Sequence, residues 1–310
     1  MVSPDPSTVR FAGPWRHHDV RANGVRLHAV EWADQPYTDR PLVLLMHGFG
    51  EFWWSWRHQL PALTAAGYRA VAVDLRGYGD SDKPPRGYDG WTLAGDTDGL
   101  IRALGHADAT IVGHADGGLV CWATATLHPH SVRSMVVIAS PHPQALKDAS
   151  LRDPGQRKAF LAGFLRAQIP RSAERDLIRD DGAMIEEMMR NNSGLRWPMT
   201  DDFADTAARN RSAIQIAGVA HSSLEYRRWA FRSQFRPDGS RFLELMDKRL
   251  QIPVLAVRGE LDTYIRRPTL AASAKWAAHL DLTEIAESGH YAHQESPDEV
   301  NRQLIEFAGR

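Results

Sequence analysis

A continuous apolar run, Leu42-Val43-Leu44-Leu45-Met46, stops abruptly at His47-Gly48, and this unit constrains the fold more than any other feature of the chain. A strand with one wet face alternates apolar and polar residues. A run without alternation suits a strand covered on both faces, as in a parallel sheet. The same unit recurs. Ala70-Val71-Ala72-Val73 ends at Asp74, Thr110-Ile111-Val112 ends at Gly113, and Val136-Val137-Ile138 ends at Ala139-Ser140. Helical patterns fall between these runs, over about 55–66, 92–104 and 116–127. Strands alternating with helices of this length predict the α/β class, with a mostly parallel, doubly wound sheet. Val254-Leu255-Ala256-Val257 and Leu282-Thr283-Glu284-Ile285 resume the pattern, and a last helix begins at about Pro297.

Ahead of these units, 19–31 alternates around Asn23-Gly24, a hairpin signal. The chain up to about Trp15 is polar and contains prolines, so a surface arm is expected there. A loop containing Pro36 and Pro41 leads into the first buried run.

Between 142 and 251 the strand signal disappears, and the segment reads as helices joined by polar loops. It holds 19 Lys/Arg against 15 Asp/Glu, a surplus of +4 that leaves −5 for the rest of a chain whose formal charge is −1. Residues 1–141 and 252–310 are therefore read as the α/β core, and 142–251 as an inserted helical cap, or lid. Ligands of open α/β sheets bind at the carboxyl ends of the strands, where such a cap would sit.

Composition excludes several classes. A near-balanced 37 Lys/Arg against 38 Asp/Glu gives no overall pull toward nucleic acid or an anionic membrane. One cysteine, Cys121, permits no internal disulfide and no Cys-based zinc site, and it reads as a buried apolar residue. No apolar stretch reaches the roughly 18 residues of a membrane span, and the first ten residues lack the apolar run of a secretory signal. No phosphate loop, metal-ligand cluster or dinucleotide fingerprint is present, so neither metal nor cofactor is expected. A cytoplasmic protein with a small-molecule site is the expectation.

Four motifs carry the chemistry. His47-Gly48-Phe49-Gly50 follows a buried strand, and the backbone N–H groups of such a turn can face developing negative charge. The aromatic residues after it, Trp53 among them, suit either core packing or a pocket wall. In Gly113-His114-Ala115-Asp116-Gly117-Gly118, small residues bracket a sharp strand-to-helix turn with the spacing of a nucleophile elbow. Arg258-Gly259-Glu260-Leu261-Asp262 follows a buried strand and offers an acid that can orient a histidine. Ser288-Gly289-His290-Tyr291-Ala292-His293 then presents an imidazole at the same sheet edge. Elbow, acid, histidine is the chain order of the α/β-hydrolase fold.

These residues, together with Glu51-Phe52-Trp53-Trp54-Ser55-Trp56-Arg57 and Asp74-Leu75-Arg76-Gly77-Tyr78-Gly79-Asp80-Ser81-Asp82-Lys83-Pro84, resemble the epoxide hydrolases of the α/β-hydrolase superfamily. The resemblance spans essentially the whole chain outside the cap. It implies an elbow aspartate that attacks the epoxide carbon, a histidine oriented by an acid that activates water, and cap tyrosines that hold the epoxide oxygen. By position the histidine is His290 and the acid is Asp262, with Glu260 the weaker candidate and His293 a neighbour or surface residue. Phe49, Trp53 and Tyr226 are the candidate substrate-binding residues.

The departures from the family pattern are specific. The nucleophile position is Ala115, whose methyl group cannot attack anything, and the carboxylate comes one residue late, at Asp116. Asp116 either favours the helix N-terminus electrostatically or has taken over as nucleophile or as a partner of His290. Haloalkane dehalogenases share the fold, but a carboxylate at 116 would repel the halide that they hold there. Gly50 stands where the family has proline, and Tyr226 is the one tyrosine between 142 and 251. Three functions compete: an epoxide hydrolase-like enzyme acting on a small apolar substrate with His290, Asp262 and Asp116; a pseudo-hydrolase that binds a ligand or partner; and a lyase or cofactor-free oxygenase that uses the His290–Asp262 pair alone.

Overall fold

The computed structural model describes residues 3–32 and 38–310, so Pro36 of the predicted loop lies outside the described residues. Eight strands form one sheet: β1 (Arg16–Ala22), β2 (Val25–Glu31), β3 (Leu42–Met46), β4 (Arg69–Val73), β5 (Ala109–His114), β6 (Val132–Ile138), β7 (Leu250–Gly259) and β8 (Ala277–Ile285). Their spatial order is β1-β2-β4-β3-β5-β6-β7-β8. β1, β2 and β4 pair antiparallel, and every later pairing is parallel. The predicted hairpin is present, turning on Asn23 and Gly24, both with positive φ (46° and 78°), as a tight two-residue hairpin requires. All residues of β3, β4 and β5 are buried, which is why these strands read as unbroken apolar runs.

Helices α1 (Gln59–Ala65), α2 (Gly90–Ala103) and α3 (Asp116–Leu127) connect the central strands. The helix expected from 55 is divided: Trp53–Trp56 forms a 3₁₀ turn and the α-helix begins at Gln59. Between β6 and β7 the described chain is wholly helical apart from connecting loops. It runs through α4 (Pro143–Arg152), α5 (Pro154–Ala167), α6 (Ser172–Asn192), α7 (Asp201–Ile214), α8 (Val219–Arg232) and α9 (Pro237–Met246). Proline or an oxygen-bearing cap starts several of them; Asp153 and Thr200, for example, accept from the first free N–H groups of α5 and α7. Three helices follow β7: α10 (Arg267–Ala271), α11 (Ala292–Glu295) and α12 (Pro297–Ala308).

The segment before Trp15 is not a free surface arm. Val9 is buried, Phe11 stacks on Trp53 with ring centroids 5.0 Å apart, and the Trp53 indole N–H donates to the Val9 carbonyl at 2.9 Å. Its few apolar residues are enough to dock it, because Trp15, Trp53 and Trp54 present a ready aromatic surface. Cys121 is buried with a free thiol, as expected. Among the described residues no helix is long and apolar enough to cross a membrane.

Candidate active site

Parallel strands carry their chain ends to one edge of the sheet, so the loops after β3, β5, β7 and β8 meet there. The elbow is built by backbone contact. A Cβ on Gly113 would lie 2.4 Å from the Gly117 carbonyl carbon, and one on Gly117 would lie 2.3 Å from the Met46 oxygen. Only hydrogen fits at either place. The turn between them places Ala115 at the apex, with φ 46° and ψ −112°, a conformation strained for any residue with a side chain. Its N–H donates to the Ile138 carbonyl, and its own carbonyl accepts from the Ser140 hydroxyl at 2.8 Å. The apex is therefore position 115, and Asp116 is the first residue of α3.

The loop after β7 is equally well determined. The Arg258 guanidinium donates to the carbonyls of Ile265 at 2.8 Å and Asp262 at 2.6 Å, curling 259–265 around itself. Asp262 Oδ1 accepts from the backbone N–H groups of Tyr264 (2.7 Å) and Ile265 (2.9 Å). Its other oxygen, Oδ2, accepts from His290 Nδ1–H at 3.0 Å, which leaves Nε2 as the basic nitrogen. Glu260 does not share this role; its carboxylate accepts from the Glu287 N–H at the exposed rim. The His290 loop passes so close to β7 that a Cβ on Gly259 would stand 2.0 Å from the Gly289 oxygen. The end of α6 holds it from the other side, since His290 N–H donates to the Asn192 carbonyl at 2.7 Å.

Beneath the site lies a buried cluster that sequence reading missed. Glu51 Oε2 accepts from the Gly48 N–H at 2.7 Å and from His114 Nδ1 at 2.8 Å, and its Oε1 accepts from the Gln294 amide at 2.8 Å. His114 Nε2 faces the His290 carbonyl at 3.1 Å. One carboxylate thus ties the turn after β3, the elbow strand and the histidine loop together. Burial disfavours its charge, but the adjacent His114 holds Glu51 well below the usual carboxylate range. Burial likewise disfavours a charged His114, and Glu51 outweighs it, raising the imidazole above its ordinary value. His293 lies against His114 and Trp56, fully buried; it is a neighbour and not a surface residue, and burial pushes it well below the ordinary histidine value. Glu51, His114 and His293 form the one group of the described residues whose spacing would suit a metal ion, contrary to the sequence expectation that no such cluster exists.

A cavity of about 390 Å³ opens between α3 and the helices that follow β6. Leu119, Val120, Leu146, Phe160, Trp229 and Phe242 line it, so its walls are largely apolar, and Asp116, Tyr226 and Arg227 bring polarity to it. Asp116 Oδ2 is buried and has no hydrogen-bond partner among the described residues. Burial raises the Asp116 carboxyl above its ordinary value, against the opposing pull of Arg227, His114, His47 and His290. Tyr226 lines the cavity with its ring, but its hydroxyl donates to the Arg76 carbonyl at 2.8 Å. Phe49 is half-buried, with the Arg227 guanidinium 3.6 Å above its ring centroid.

Trp53 requires correction: it is not a pocket residue. It is fully buried among Phe11, Trp15 and Trp54, away from the residues that line the cavity. An indole whose N–H is satisfied by Val9 and whose faces are covered has nothing left to offer a ligand.

The structure therefore brings His290 and Asp262 into contact and sets Asp116 close enough to feel the charge of a protonated His290. His290 stands back from the cavity wall. Tyr264 packs edge-on against its ring at 5.1 Å and also meets Phe160 of the wall. Tyr264, Tyr291 and Arg227 were not singled out by sequence. The only signal available was adjacency, since Tyr264 lies two residues after Asp262, Tyr291 follows His290 and Arg227 follows Tyr226.

Comparison with known proteins identifies the fold and its relatives. Residues 41–297 match the family model described as alpha/beta hydrolase fold. The chain is 30% identical over 298 residues to "Epoxide hydrolase 4" of Mus musculus, covering 93% of this chain and 77% of that protein. It is 29% identical over 293 residues to "AB hydrolase superfamily protein YfhM" of Bacillus subtilis, covering 93% and 96% respectively. Among solved structures, wild-type Cfl2 from Burkholderia cenocepacia superposes with a TM-score of 0.79 at 26% identity, covering 95% of this chain and 96% of that one.

Proposed function

This chain belongs to the α/β-hydrolase fold family, in its epoxide hydrolase-like branch, and we propose that it opens epoxides of small apolar molecules by direct attack of a water activated by His290. The observation that carries this reading is the His290–Asp262 pair. At 3.0 Å, with the second carboxylate oxygen engaged by two backbone N–H groups, Asp262 fixes both the tautomer and the orientation of the imidazole. In this reading the helical segment 142–251 serves as the cap.

With alanine at the apex no ester can form at position 115. His290 Nε2 takes a proton from water as the water oxygen bonds to the epoxide carbon and the carbon–oxygen bond breaks. In this route the leaving oxygen takes its proton from the protonated form of Asp116, a form that burial favours; the side chain faces the cavity, and its Oδ2 has no hydrogen-bond partner among the described residues. Proton exchange with solvent restores both groups. The N–H groups of Phe49 and Asp116, which have no acceptor among the described residues, support the developing charge. Asp116 is already the first residue of α3 and does not stand at the apex of the turn, which favours this route over a displaced aspartyl ester. Forgoing covalent catalysis implies a slow enzyme.

Diol formation from aryl and long-chain epoxides, measured for the protein and His290→Ala side by side, tests the reading. A single turnover in ¹⁸O-water, with enzyme in excess, should place the label in the diol and require His290. Label in Asp116 with an unlabelled diol would establish the displaced nucleophile instead. Absence of diol, together with its appearance in Ala115→Asp, would favour a binding protein.

A further inference from the structure

The hydrolysis described above gives Arg227 nothing to do, yet its placement is unusual. Six arginines of the described chain are buried: Arg57, Arg69, Arg76, Arg227, Arg228 and Arg258. Five of them reach a carboxylate: Asp202, Glu31, Asp96, Glu174 and Glu284 respectively for Arg57, Arg69, Arg76, Arg228 and Arg258. Arg227 reaches none among the described residues. Among the described residues its buried Nε has no hydrogen-bond partner, and its guanidinium carbon stands 3.6 Å from the Phe49 ring centroid. Asp116 is near enough to feel this charge but forms no ion pair with it.

Arginine cannot shed its proton to relieve burial, so a desolvated guanidinium needs an anion or several acceptors. The aromatic face of Phe49 supplies electrostatic attraction but no acceptor in the plane of the fork. Around this head the cavity wall is mainly apolar, formed by Leu119, Leu146, Phe160, Trp229 and Phe242, with Asp116 as its one carboxylate among the described residues. A molecule matching both features has an apolar body and one compact anionic end.

We propose that Arg227 is the anchor for a carboxylate carried by the substrate, so that the cavity takes apolar organic acids in preference to their neutral counterparts. This rests on the reading of the cavity as the substrate site, though not on the chemistry assigned to it. A carboxylate fits better than a phosphate monoester: its two coplanar oxygens match the guanidinium fork, and its single charge balances a single arginine. The cavity has one more cation, Lys147, but it is exposed to water at the rim, where charge attraction is screened.

Calorimetric binding of 2-naphthylacetic acid and of its primary amide, which has the same shape without the charge, tests the proposal at pH 7.5. The wild-type protein should bind the acid about tenfold or more tightly than the amide, a difference of about 1.4 kcal/mol. Arg227→Gln should lose that preference while keeping its affinity for the amide, which also reports an intact cavity. Arg227→Lys should retain part of the preference, and Lys147→Gln all of it. Equal affinity for acid and amide, a preference that survives in Arg227→Gln or vanishes in Lys147→Gln, or failure of both ligands to bind at millimolar concentration would each overturn the proposal. Failure of diol formation with the acid preference intact would count against the hydrolytic reading alone. Turnover of neutral epoxides without any acid preference would count against the anchor alone.

Discussion

On the C-terminal side of the site every polar atom of Asp262 is matched: one carboxylate oxygen holds His290, the other accepts from two backbone N–H groups, and Arg258 binds the loop that carries it. On the elbow side the turn has the same quality of construction, but its apex carries a methyl group, and the adjacent Asp116 has an oxygen without a partner among the described residues. The contrast shows that the two properties of an elbow are separable. Its geometry follows from Gly113 and Gly117, which let the strand and helix backbones cross within van der Waals contact whatever stands between them. Its chemistry depends on the apex residue alone. A chain can therefore keep the strained turn and the oriented base while the group they would jointly serve is absent.

The most direct way to break this comparison is to return a carboxylate to the apex. If the elbow is intact in all but chemistry, Ala115→Asp should raise diol formation by at least about a hundredfold and give a single-turnover ester on residue 115 by mass spectrometry. An unchanged rate would show that the apex is misaligned with His290, and the two halves would no longer be independent. The next largest effect concerns what ties the halves together. Glu51→Gln breaks the buried pair with His114 and should cost roughly 3–5 kcal/mol in chemical denaturation, with the His290 loop loosened as well. Because the Glu51 carboxyl lies below its unfolded value, its contribution is present above the unfolded value of about 4.5 and lost as pH falls through the folded one; the variant should lack that acid sensitivity.

A smaller change isolates the strain. Ala115→Gly removes the side chain that makes φ 46° unfavourable, at the expense of a more flexible unfolded chain, so a net gain of about 1 kcal/mol in stability is expected. A loss would mean that the Ala115 methyl contributes packing that outweighs its backbone strain. The smallest effect should appear only as a pH dependence. The Asp116 carboxyl binds its proton more tightly folded than unfolded, so stability falls as pH rises from about 3.8 through the folded value. Asp116→Asn should match the wild-type Tm in acid and exceed it above that window, whatever the substitution does to turnover.

Much of this was legible in the chain itself, because the signals were local. Unbroken apolar runs cut off by a small or polar residue located β3 to β6, and Asn23-Gly24 located the hairpin. The order of elbow, acid and histidine pointed to residues that the fold does bring to one edge, and Ala115 could be placed at the apex from the spacing of its glycines. Trp53 was less tractable, since an aromatic residue beside a catalytic turn has the same local pattern in a core as in a pocket wall. Tyr226 shows the same gap: its position beside the cavity could be anticipated, but not that Arg76 would occupy its hydroxyl.

What remained for the tertiary structure to decide were the relations between distant segments. Glu51, His114 and His293 come from the turn after β3, the end of β5 and α11, separated by 63 residues or more, and no spacing rule joins them. Nor does composition reveal that, among the described residues, one of six buried arginines has no carboxylate in contact, because that depends on the packing of α8 over Phe49 and not on its own neighbours in sequence. Strand runs and tight turns are determined by sterics and burial within a few residues. Pairing, proton affinity and the lining of a cavity depend on desolvation and on charges brought together from across the chain, and only the folded molecule sets those.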